Sequence, residues 1–168
     1  LGRNSVHHAV RDTVVDAYAA LAVSRPGSRY VYAETGWPSG GRFRPHRTHR
    51  NGLAVDFHVP VVDADGRPRW LPTYPWNQWG YRLEFDGEGR LGRLRIDFDA
   101  MAAHLQALDA AARGQGLRIE VVIFDPPLHG ALFAADGMDT LRTRVRFTPR
   151  AAWVRHDEHY HVDFALPS

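Results

Sequence analysis

Two short segments, 53–59 and 159–164, constrain this chain more than any other feature, because each alternates apolar and polar residues without a break. In the first, Leu53, Val55, Phe57 and Val59 fall on one side, and Ala54, Asp56 and His58 on the other. In the second, Tyr160, Val162 and Phe164 oppose His159, His161 and Asp163. Successive side chains of a β-strand point to opposite faces, so each segment predicts a strand with one face on a core. If the two strands are neighbours, about 4.8 Å apart, their histidines and aspartates meet over one patch of sheet.

The windows 46–56 and 156–163 around these strands hold five of the ten histidines. His49 can reach the patch from the preceding loop, with Asn51-Gly52 supplying the turn into the strand. Two imidazoles and a carboxylate converging in one place suit a borderline ion such as zinc. Three protein ligands and one open position is the arrangement of a catalytic zinc, whose water has its pKa lowered to about 7. His159 shares the face of His161 and is placed to act as a base. Two alternatives stand beside this reading. His58 lies on the face of Asp56 and competes as a ligand. Glu158 competes as the base, but in a regular strand it points away from His159 and His161, so His159 is preferred.

Elsewhere, residues 6–23 carry apolar residues at helical spacing, with Asn4 or Ser5 as cap and Pro26-Gly27 as stop. Residues 29–35 read as a strand and 36–50 as a long loop. Residues 66–80 read as another loop, with Trp70, Trp76 and Trp79 among prolines; with Tyr81 these can line a substrate groove or pack on the core. Residues 81–98 predict a hairpin turning at Asp86-Gly87-Glu88-Gly89. Asp97 or Asp99 caps a helix reaching Arg113. A strand over 117–124 precedes a short helix or turn at Pro126-Pro127, and 140–147 give no clear pattern. Together these elements predict an α+β fold, one domain over 1–168 with a central, mainly antiparallel sheet and flanking helices.

Composition narrows the function classes. With no cysteine, disulfide frameworks, thiolate metal sites and cysteine nucleophiles are excluded. A net charge of +2 is too small to argue for nucleic acid. No apolar run approaches the roughly 20 residues of a membrane span, and the first residues do not read as a signal peptide. His7, His8, His104 and His129 read as solvated or hydrogen-bonded histidines. All 21 basic residues are arginine. Arg42, Arg44, Arg47 and Arg50 crowd the motif loop, where they can clamp carboxylates or simply be solvated.

His49-x6-Asp56 followed near the C-terminus by His159-x-His161 resembles the lysostaphin, D-Ala-D-Ala carboxypeptidase and Hedgehog metallopeptidase superfamily. Within it, Gly40-Gly41-Arg42, His46, Asn51-Gly52-Leu53 and His156-Asp157 look most like the penicillin-insensitive murein endopeptidases. These strings cover about a sixth of the chain. The resemblance implies one catalytic zinc on His49, Asp56 and His161, with His159 as base or transition-state stabiliser, and His46 and His156 at or near the site. It implies hydrolysis of peptidoglycan cross-links, typically D-alanyl to diaminopimelate, with peptide stems as partner and a periplasmic or secreted location. Thr48 departs from the superfamily's usual Ser, Asp163 from a common Arg, and the family's cysteines are absent. Three further readings are carried: a non-catalytic, metal-stabilised binding module; a phage lysin or antibacterial effector with the same chemistry; and a phosphoesterase. The last is disfavoured because only one His-x-Thr element, His46-Arg47-Thr48, is present.

Overall fold

The two alternating segments are adjacent strands. The computed structural model describes residues 4–41, 49–149 and 156–166. In it β2 (Ala54–His58) pairs antiparallel with β9 (His159–Ala165), and the register sets Asp56 opposite His161 and His58 opposite His159. Directly opposed residues share a face, so the histidine–aspartate patch is built by strand pairing itself. The other members of this sheet are β1 (Val31–Tyr32), β7 (Arg118–Ile123) and β8 (Arg146–Phe147), in the order β1-β2-β9-β7-β8 with only β7 and β8 parallel. A second, antiparallel sheet joins β3 (Val61–Val62), β4 (Pro68–Arg69), β5 (Arg90–Leu91) and β6 (Leu94–Ile96) in the order β4-β3-β6-β5. The fold is α+β.

The apolar faces behave as the alternation requires. Val55, Phe57, Tyr160 and Val162 join Val10 and Ala17 of α1 (His8–Ser24) and Met101, Leu105 and Leu108 of α2 (Phe98–Gly114) in one buried cluster. Each large aliphatic side chain so buried contributes about 1.5–3 kcal/mol. His104 lies inside this core as a bonded histidine, its Nδ1 at 2.5 Å from the Tyr160 hydroxyl. Burial pushes its pKa down to about 3, so it is neutral.

Several local expectations change. The cap of α1 is His7, whose ring accepts from the Ala9 N–H, because the Ser5 backbone is engaged in a two-way bridge with Gly36. Asp97 caps α2, accepting from the Ala100 N–H at 2.9 Å. The hairpin turns at Gly92-Arg93, between the paired Leu91 and Leu94. The predicted turn at 86–89 exists but precedes β5, closed by Asp86 Oδ1 accepting from the Glu88 and Arg90 N–H groups. The strand expected over 29–35 is regular only at Val31–Tyr32, since Ala33 and Glu34 both bond to the backbone of Asp56. Two residues facing one form a β-bulge, and this one sits against a proposed metal ligand. The ambiguous 140–147 region holds part of α4 (Met138–Leu141) and β8, with α3 (His129–Phe133) before them.

Gly52, at the turn into β2, has φ +73°, and a Cβ there would stand 2.7 Å from the His7 backbone nitrogen. Both the left-handed conformation and the close approach demand glycine. Gly52→Ala is expected to cost about 1–3 kcal/mol, read as a lowered midpoint in urea unfolding; an unchanged midpoint contradicts this packing.

Candidate metal centre

Asp56 and His161 are brought together by the β2–β9 register, and His49 reaches them from an irregular segment. That segment is pinned on several sides. The Gly41 N–H donates to the Arg50 carbonyl at 2.8 Å, the His7 N–H to the Gly52 carbonyl at 2.9 Å, and the Leu53 N–H to Asn51 Oδ1 at 3.1 Å. The result is a group of three buried residues, His49, Asp56 and His161, each offering a ligand atom within 4.8 Å of the others. His49 Nε2 is 3.3 Å from Asp56 Oδ1, and His161 Nδ1 is 2.7 Å from the same oxygen.

The donor set fits a tetrahedral ion. Donors bound at about 2.0–2.1 Å in that geometry stand about 3.3 Å apart. The His49–Asp56 pair already has this spacing, whereas His161 must open slightly from Asp56. The supporting contacts fit as well. His161 Nε2 lies 2.9 Å from Asp163 Oδ1, the carboxylate partner that fixes the ring of a ligating histidine. The Tyr81 hydroxyl donates to Asp56 Oδ2 at 3.2 Å, leaving Oδ1 toward the histidines. Burial works to raise the Asp56 pKa, but hydrogen bonds from His161 and His49 outweigh it and hold the carboxyl well below its usual range. Burial works to lower the His161 pKa, but its bonds to Asp163 and Asp56 raise it to about 10. The site therefore attracts positive charge, and a proton and a cation compete at His161 Nδ1.

Beside the group, Glu158 Oε1 lies 2.7 Å from His159 Nδ1, and both residues are buried. Glu158 precedes the first residue of β9 and lies in a bend, so strand alternation does not govern its direction. Sequence reasoning set Glu158 against His159; the structure makes them partners. Burial pushes the Glu158 carboxyl up to about 9. The rings of His156 and Tyr81 pack on His159, with centroids at 4.5 and 4.9 Å. Asp157 anchors the covering loop, its Oδ2 accepting from the Phe85 N–H at 2.7 Å.

His58 is not in the group of donors found among the described residues. Burial, then the charge of His159, lowers its pKa to about 4. Arg42, Arg44, His46, Arg47 and Thr48 lie outside the described residues. Tyr81 and Asp163 are the partners that sequence reasoning missed. Asp163 shares the face of His161 and was findable on that ground, whereas nothing local ties residue 81 to residue 56. No protein-family model and no curated protein matches the chain, so the centre is read from its own chemistry.

Proposed function

We propose that this chain is a zinc-dependent peptidase that hydrolyses peptide cross-links of peptidoglycan, at the bond between D-alanine and diaminopimelate, outside the cytoplasm. The observation that carries the reading is the meeting of His49, Asp56 and His161 with a second histidine–carboxylate pair, His159 and Glu158, on the same strand junction. A purely structural site has no use for the second pair. The peptidoglycan assignment rests on the motif resemblance.

At such a site zinc supplies Lewis acidity, which polarises a carbonyl and acidifies water. The chain's own residues do the rest. Tyr81 and Asp163 orient Asp56 and His161. Glu158 occupies Nδ1 of His159 and so fixes which ring nitrogen moves the proton from water to the leaving amine. The surrounding burial keeps both pairs out of bulk water, which strengthens their electrostatics.

The test is mass analysis of muropeptides after digestion of cross-linked peptidoglycan, with and without chelator, alongside the metal content of the purified protein. One zinc per chain and chelator-sensitive loss of cross-linked dimers are expected. Metal-loaded protein that binds peptidoglycan without cutting it is instead a binding module, and protein free of divalent metal at neutral pH refutes the reading.

A further inference from the structure

A cavity of about 280 Å³ opens beside the donor group, lined by Arg29, Val31, His58, Trp70, Leu71 and Thr73 among others. None of the three metal donors lines it, yet it belongs to the same face of the sheet. The register runs Val31 opposite His58 and His58 opposite His159. Directly opposed residues share a face and lie roughly 5 Å apart, so the cavity begins one strand away from His159.

We propose that this cavity is a subsite for an aliphatic substrate side chain ending in a carboxylate, which Arg29 binds. The proposal rests on the peptidase reading, because it takes the substrate to be a peptide cleaved beside His159. Its size suits a side chain. Pockets for whole small ligands run from about 300 to 1,000 Å³, and this one falls just below them. The walls give the aliphatic part of the preference, since Leu71 is buried and Val31 half-buried.

The charge gives the rest. Two arginines line the cavity, and they differ. Arg69 is neutralised by Asp63, at 2.7 Å. Arg29 has no carboxylate partner among the described residues. Its Cζ sits 4.4 Å from the centre of the Trp70 ring. An arginine stacked on an aromatic face keeps its donor fork pre-organised and is well suited to carboxylate.

The probe is a pair of cross-linked muropeptide dimers, one with its two diaminopimelate carboxylates free and one with both as carboxamides. Binding is measured by calorimetry to zinc-loaded His159→Ala protein, so that it does not depend on turnover, and cleavage is measured separately with wild type. The carboxylate form is expected to bind about tenfold more tightly. Adding Arg29→Gln should abolish that difference, and Arg29→Lys should restore part of it. Arg29 is exposed, so its variants are expected to fold, with melting temperature as control. Equal binding of the two forms, a preference that survives Arg29→Gln, or failure of both to bind overturns the proposal. Cleavage without an Arg29-dependent preference removes the subsite and leaves the peptidase; an Arg29-dependent preference without cleavage keeps the subsite and removes the peptidase.

Discussion

His161→Ala is expected to lose its zinc and to lower kcat/KM by about a thousandfold or more. His161 is one of only three donors in the group. Lewis-acid stabilisation at a carbonyl is worth several kcal/mol, and each 1.36 kcal/mol is a factor of ten in rate. Elemental analysis of the dialysed protein and muropeptide hydrolysis read the two effects. The variant also strips a buried carboxylate of a partner, since Asp56 is 1% exposed, and breaking such a pair costs about 3–5 kcal/mol. Lost activity could then reflect unfolding, so a gentler companion is needed. Asp163→Asn keeps an oxygen beside His161 Nε2 but removes the charge, and should weaken zinc affinity about 10–100-fold with the fold intact. Stoichiometric zinc and full activity in His161→Ala would end the proposed ligand set.

Asp56 and His161 were legible in the sequence because strand alternation has a strict period of two. Once both segments are strands on one core, their polar residues have only one face to occupy. His49 was legible only as a residue within reach, since loop geometry has no period. What stayed hidden came from irregular chain. Glu158 sits where β9 has not yet begun, one residue outside the alternating pattern. The bulge at Ala33 and Glu34 shortened β1 without any local signal. The polar face of β2 was expected to face away from the core, yet all five of its residues are buried. The cover comes from the segment beyond residue 70, expected as loop but holding a short, kinked 3-10 helix over Pro75–Gly80. There Gln78 and Trp79 take positive φ, and a Cβ on Gly80 would stand 3.2 Å from the His58 ring. Non-glycine residues seldom adopt that conformation, so no pattern in the sequence announced it.

The partnership of His159 with Glu158 leads to the second large effect. His159→Ala is expected to retain one zinc per chain and to lower kcat by about 10²–10⁴-fold, the usual contribution of a positioned acid–base group. The ring is not in the donor group, so metal content should survive its removal, whereas His161→Ala should lose metal and activity together. Glu158→Gln should fall between wild type and His159→Ala. Glu158 touches His159 Nδ1 and acts through that ring, so it is a positioning residue. Its loss should move the acid limb of the pH–rate profile as well as its height, because an amide cannot share a proton as the carboxyl does. Three alternatives give different results. A base role for Glu158 itself makes Glu158→Gln as damaging as His159→Ala. A merely structural role for the pair lowers the melting temperature of both variants and leaves the pH profile in place. Full activity in zinc-loaded His159→Ala leaves the strand junction a metal site without the base proposed for it.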